Sequence, residues 1–373
     1  MQPMKPMYTY ILFFFLLIAT GLQAQVLKPG FDATEYKEAL TIAFHQGDTG
    51  GRRPGIPAVA NYTRAFRSPV VGLDNRWDLW ERKDGKVAAI SIRGTVGTTP
   101  SWVANFYSAM APAIGSIQLN DSTTFAYQLA DNKEAAVHTG WLIALGHLAP
   151  SIVQHVKDQY VKGVRDYILV GHSQGGAITF LLRSYLQYQV EQGDLPKDIT
   201  FKTYCSAAPK PGNTAYVYDF DFITRGGWAY TIVNAADWVP ESPISIQQLN
   251  DMNQLNPFTD VGSMLGKQNI VVRAYLKSMF NKLRKSTKKS EERYEKYLGD
   301  RVYKLARKTL PQLKEPAYVP SMNYMRAGTP IILLPDEKYK QQFAASEKNR
   351  TNVWYHHSYN AYVSLLEAWY GRK

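Results

Sequence analysis

The tightest constraint on this 373-residue chain is the run Gly171-His172-Ser173-Gln174-Gly175 and what flanks it. Tyr167-Ile168-Leu169-Val170, just before it, is short and wholly apolar, the pattern of a strand buried on both faces. Ala177 to Gln192, just after it, reads as a helix broken by Gly193. A strand that becomes a helix through G-x-S-x-G lifts its serine onto a sharp, exposed turn. The chemistry needs that placement, because a serine hydroxyl is a weak nucleophile until a base reaches it. Glycines remove the side chains that would collide as strand and helix close around the turn. The helix N-terminus behind adds a field that favours a developing oxyanion.

The rest of the chain alternates in the same way. Phe31 to Phe44 recurs at helical spacing, and Trp77 to Arg82 with Val87 to Ile92 reads as a hairpin around Asp84-Gly85. Gly140 to Lys162 is a helical stretch, and Phe201 to Ser206 and Tyr230 to Val233 are further strands. Strands alternating with helices imply an α/β fold, a mostly parallel central sheet covered by helices on both faces. An apolar share of 45% with 20% charged residues supplies a full-sized core and excludes a disordered chain. The single cysteine, Cys205, excludes an internal disulfide framework and a Cys-rich zinc module.

A serine nucleophile needs a histidine base, and on this strand–turn–helix geometry the acid and the base follow the serine in that order. Of seven histidines only His356 and His357 lie beyond Ser173; His147 and His155 fall within the earlier helical stretch. The pair precedes an apolar-periodic segment, Ala361 to Trp369, with Ser358 placed to cap that helix. Asp194, Asp198, Asp219, Asp221, Asp237, Asp251, Asp260, Asp300 and Asp336 lie between. Asp237 follows the strand Tyr230 to Val233, which puts it at a strand's carboxyl end, the rim that also carries the nucleophile. Asp219 and Asp221 precede that strand and fall at the opposite rim. The oxyanion donors expected are the backbone N–H of Gln174 and, after the strand ending at Ile92, Thr95 with its N–H and hydroxyl.

Two segments stand apart. Residues 1–24 have Lys5, an apolar run from Ile11 to Ala19 and the small-residue end Leu22-Gln23-Ala24, the pattern of a signal peptide cleaved after Ala24. Export without a structural disulfide suits a bacterial periplasmic or secreted protein. The mature chain, 25–373, is expected to be one domain with a basic helical insertion at about 262–312. Between Lys267 and Lys308 fourteen Lys/Arg face four Asp/Glu, which supplies most of the net charge of +12. One reading is a solvated helical hairpin; the other is a patch that attracts anionic lipid. Nucleic acid is not an expected partner, since no nucleic-acid-binding module is visible.

Five blocks in order bring a resemblance. Ser91-Ile92-Arg93-Gly94-Thr95, Val137-His138-Thr139-Gly140-Trp141, Gly171 to Gly176, Pro209-Lys210-Pro211-Gly212-Asn213 and Val233-Asn234-Ala235-Ala236-Asp237-Trp238-Val239-Pro240 resemble the class 3 (fungal-type) lipase family. The likeness implies an α/β-hydrolase fold, hydrolysis of carboxylic ester bonds without metal or organic cofactor, and often a lid over the site. It carries the nucleophile to Ser173, the acid to Asp237 and the oxyanion donors to Thr95 and Gln174. The family's histidine is usually followed by a tyrosine opening the last helix, which favours His357 and keeps His356 as the alternative. Asp237 and His357 lie 120 residues apart, longer than a minimal member needs, and the basic insertion accounts for most of the excess. Between Trp102 and Val137, where a lid is expected, Ala111 to Ser116 is mobile in composition without an amphipathic helix. A phospholipase A1-type enzyme docking through the insertion, and a non-catalytic envelope-binding protein that keeps the fold, remain the other readings.

Overall fold

The computed structural model describes residues 25–47, 55–253, 269–343 and 352–371. The expected signal peptide and Asp260 lie outside them. Seven strands form the central sheet: β1 (Tyr62–Arg67), β2 (Trp77–Arg82), β3 (Val87–Ile92), β8 (Asp166–His172), β9 (Thr200–Ser206), β10 (Ala229–Asn234) and β11 (Thr329–Leu333), in that spatial order. The first three pair antiparallel, and β3 through β11 run parallel. This is the mostly parallel sheet the sequence pattern implies.

β8 shows why the centre of the sheet is so apolar. All seven of its residues are buried. Tyr167 and Leu169 enter one core with the helices α3 (Thr139–Val161) and α4 (Gln174–Glu191). Ile168 and Val170 enter the other, with α1 (Ala33–Phe44), α8 (Glu337–Gln342) and α9 (Tyr359–Tyr370). Successive side chains point to opposite faces, so a strand covered on both sides is apolar throughout.

Register sets the site. Ile92 lies opposite Gly171, His172 opposite Ser206, and Ser206 opposite Ile232. The ends of β3, β8, β9 and β10 therefore share one rim, and the residues that follow them share one crevice. Asp219 and Asp221 sit instead on α5 (Thr214–Ile223), where Asp219 accepts from Tyr188 and the Asp131 N–H, away from that crevice.

Two expectations need correction. The stretch from Trp102 to Val137 is a packed structure rather than a mobile flap. It holds most of α2 (Thr99–Phe106), then β4 (Met110–Pro112), the hairpin of β5 (Ile114–Asn120) and β6 (Thr123–Gln128), and β7 (Ala136–His138), which pairs with β4. Ala111 and Ala113 are fully buried in the main core; small side chains there permit close packing rather than motion. The basic insertion is not a hairpin. α6 (Ile270–Glu295) passes through a π-helical turn, Lys296–Asp300, into α7 (Arg301–Thr309), and Lys296 and Arg301 keep right-handed helical dihedrals. A hairpin would need the chain to reverse; here it continues. Among the described residues no helix is long and apolar enough to cross a membrane.

Candidate active site

Ser173 stands between β8 and α4 with φ 62° and ψ −132°, a conformation that L residues rarely adopt. The surroundings force it. A Cβ on Gly171 would lie 2.2 Å from the Gly175 carbonyl carbon, and one on Gly175 would lie 2.2 Å from the Ile92 carbonyl oxygen. Strand, turn and helix therefore close to backbone contact, and the serine between them is pushed out. The Ser173 N–H is held by the Ser206 carbonyl at 2.9 Å, and its own carbonyl accepts from Ala177 at 3.1 Å.

Asp237 follows β10 in a turn closed by its N–H to the Asn234 carbonyl. Its side chain is fully buried. Oδ1 accepts from the Val239 N–H at 3.1 Å. Oδ2 accepts from the Tyr362 hydroxyl at 2.8 Å and from His357 Nδ1 at 2.6 Å. Such charge-assisted bonds are the short, strong ones. With Nδ1–H committed to the carboxylate, the neutral ring exposes a lone pair on Nε2. That nitrogen is buried and has no hydrogen-bond partner among the described residues. His357 and Ser173 line one cavity of about 430 Å³.

His356, the alternative base, is engaged elsewhere. Its Nδ1 meets the Tyr339 hydroxyl at 2.8 Å, and Asn234 Nδ2 donates to its carbonyl at 2.9 Å. Partial burial lowers its pKa, with the Asp237 charge opposing. The two rings diverge from adjacent positions of one short 3-10 turn, Tyr355–His357, which Ser358 follows as the cap of α9.

His172 is a participant the sequence did not disclose. Its Nε2 donates to the His357 carbonyl at 2.9 Å, and its Nδ1 lies 3.1 Å from Ser206 Oγ, which meets the Tyr36 hydroxyl at 2.8 Å. A carbonyl only accepts, so Nε2 carries the proton and Nδ1 accepts from Ser206. Burial drives the His172 pKa well down, and the neighbouring His357 adds to that. The residue before Ser173 thus holds the backbone of the turn that carries His357. Tyr362 was likewise missed: nothing in an apolar helical segment marks one tyrosine as a donor to Asp237.

The loop that carries Thr95 runs beside the Ser173 turn. A Cβ on Gly94 would stand 2.9 Å from the His172 carbonyl oxygen and 3.7 Å from Ser173 Cβ, so the loop after β3 lies against the Ser173 turn. Thr95 Oγ1 accepts from Asn105 Nδ2 at 2.9 Å, which leaves its hydroxyl hydrogen to donate into the cavity. Gln174 opens α4, and its side chain bonds Ser101, which fixes the α4 N-terminus against α2.

A second, more apolar cavity of about 330 Å³ shares Thr95, Trp102, Ser173 and Trp354 with the first. Phe106, Trp141, Trp238 and Ile244 extend its wall, together with Tyr294 and Leu298 from the basic insertion. Trp354 bridges Trp102 and Trp238 with ring centroids 5.8 and 5.1 Å apart. Among the described residues no group of acidic, His or Cys side chains is placed to hold a metal ion.

Residues 89–246 match the family described as Lipase (class 3). A secreted mono- and diacylglycerol lipase 3 from Gibberella zeae is 34% identical over 105 residues, 28% of this chain and 29% of the relative. The chain thus spans about three tenths of that relative's length. Among solved structures, the Rhizomucor miehei lipase propeptide complex is 18% identical with a TM-score of 0.41, covering 58% of this chain and 65% of its own. A lipase from Rhizopus microsporus var. chinensis is 20% identical with a TM-score of 0.40, covering 57% and 69%.

Proposed function

We propose that this protein is a serine hydrolase of carboxylic esters of fatty acids, a reading supported by the match of residues 89–246 to the class 3 lipase family. Ser173 Oγ attacks the acyl carbonyl while His357 Nε2 takes its proton; Asp237 holds the ring in that tautomer and stabilises the imidazolium. The Thr95 and Gln174 N–H groups, with the Thr95 hydroxyl, receive the oxyanion. His357 then returns its proton to the leaving alcohol, and water cleaves the acyl-enzyme by the same route. The reading rests chiefly on one observation: a buried Nε2, without a partner among the described residues, on a ring whose other nitrogen is bonded to a buried carboxylate, in the cavity that holds Ser173.

The substrate class follows from the two cavities that meet at Ser173. The Trp- and Phe-lined one suits an acyl chain, and the wider one, with Gln46 and Ser358 in its wall, suits the alcohol part. The acylglycerol activity in the name of the Gibberella zeae relative agrees with such a substrate. That relative is also secreted, which accords with export of this chain; being fungal, it lends nothing to a bacterial origin. Contact with a lipid surface belongs to the same proposal. The test is hydrolysis of a p-nitrophenyl acyl ester: Ser173→Ala is expected to remove about six orders of magnitude in kcat. Turnover by that variant near the native rate would refute the assignment.

A further inference from the structure

We propose that the exposed length of α6 is a docking helix for an anionic lipid surface, planted on the wall of the acyl cavity. The inference deepens the ester-hydrolase reading and rests on it for the purpose of docking, though not for the docking itself.

Two faces carry the argument. At about 100° per residue, Val272, Tyr275, Met279 and Leu283 fall on one side of α6. They are exposed, Tyr275 and Leu283 by 66% and 64%. Lys277, Arg284, Lys285, Lys288 and Lys289 occupy the other side, and Lys282 the border between them. All six are exposed, and none is paired with a carboxylate among the described residues. No Asp or Glu occurs from Ile270 to Ser290. A solvated helix has no need of a continuous apolar stripe, and a helix binding nucleic acid would use the cationic face and leave that stripe in water. Apolar and cationic faces together fit a helix lying in the plane of an anionic bilayer, its lysine stems reaching up to the head groups.

The foot of the helix is tied to the site. Gln248 Nε2 donates to Glu291 at 2.6 Å, the Tyr294 hydroxyl donates to Ser108 at 2.8 Å, and the Leu298 carbonyl accepts from the Ala109 N–H at 3.1 Å. Tyr294 and Leu298 line the apolar cavity that opens on Ser173. Docking along α6 would therefore bring a lipid surface to the cavity in which the acyl chain must enter.

Sedimentation of the full chain with vesicles tests this, using phosphatidylcholine alone or with phosphatidylglycerol added, at low and high salt. The native protein should bind the mixed vesicles, release them at high salt, and leave neutral vesicles largely unbound. Lys285→Gln with Lys289→Gln should weaken binding about thirtyfold. Met279→Ser with Leu283→Ser should weaken it by about a hundredfold. Both double variants should keep native helix content by circular dichroism and native turnover of a soluble acetate ester. Equal binding to neutral and anionic vesicles, or native binding by either variant, would overturn the proposal. So would a dimer of the native chain that Met279→Ser with Leu283→Ser dissociates, since the face would then be an interface between copies. A chain that docks as stated yet hydrolyses no soluble ester supports the docking and refutes the proposed activity.

Discussion

Replacing Asp237 with Asn tests the tautomer argument directly. The carboxylate accepts at Oδ1 from the fixed Val239 N–H and at Oδ2 from the Tyr362 hydroxyl and His357 Nδ1. Asparagine must put an NH2 in one of those positions. At the Oδ1 position it would face a backbone donor that cannot rotate; at the Oδ2 position it faces a tyrosine hydroxyl that can turn and accept. The amide nitrogen therefore points at His357, whose Nδ1 must give up its proton and accept. Nε2 then carries the hydrogen, and the ring cannot act as base toward Ser173. Loss of a buried charge partner for the imidazolium costs about 3–5 kcal/mol. Reversing one hydrogen bond costs about 1 kcal/mol more. Together these correspond to a fall in kcat of roughly three to four orders of magnitude. Steady-state hydrolysis of a soluble ester reads this, with the thermal midpoint as a check on folding. A folded Asp237→Asn variant that keeps more than about a tenth of native kcat refutes the reasoning.

Gly175→Ala should be severely destabilised, by about 3 kcal/mol or more, because its Cβ would meet the Ile92 carbonyl oxygen at 2.2 Å; a native urea midpoint would contradict this. Leu298→Trp should fill part of the apolar cavity and lower kcat/KM for long acyl chains about tenfold relative to acetate; an unchanged chain-length profile would place the acyl group elsewhere. His138 is fully buried and its pKa is pushed down to about 3, and His172 is driven down by burial too. Depressed histidines contribute stability that is complete above pH 6.5 and lost as pH falls toward their folded pKa. Between pH 7.5 and 5.5 His138 should cost about 1.4 kcal/mol. Urea titrations of His138→Phe should show that loss reduced by about one such step, and an unaltered pH slope would show that His138 is not held neutral.

Much of the fold was legible because its signals are local. β8, the Ser173 turn and the start of α4 are written in thirteen consecutive residues, Tyr167 to Thr179. The position of Asp237 after an apolar strand was legible, and the register of β8, β9 and β10 carries that strand end to the rim that holds Ser173. What the sequence left open depends on partners distant in the chain. His356 and His357 precede the same helix and differ only in which side of the turn meets Tyr339 and which meets Asp237. His172 looks like an idle motif position until the His357 carbonyl comes within 2.9 Å. Trp238 and Trp354 are 116 positions apart and become one wall only after folding. The Ala111 to Ser116 stretch misled for a physical reason: alanine, proline and glycine suit a loop and also a tightly packed strand pair, and burial decides between them. The expected hairpin in the basic insertion failed because no glycine or proline forces a reversal, and Gly299 is absorbed into a π-helical turn.

The central claim is that Ser173 is activated by the ring of His357 and not by that of His356. Labelling with a fluorophosphonate ester, followed by peptide mass mapping, tests it most directly, since phosphonylation requires an activated serine. Labelling at Ser173 is expected to be rapid and stoichiometric in the native chain and in His356→Ala, and slowed by at least about a thousandfold in His357→Ala. Fast labelling of His357→Ala, or loss of labelling in a folded His356→Ala, would contradict it.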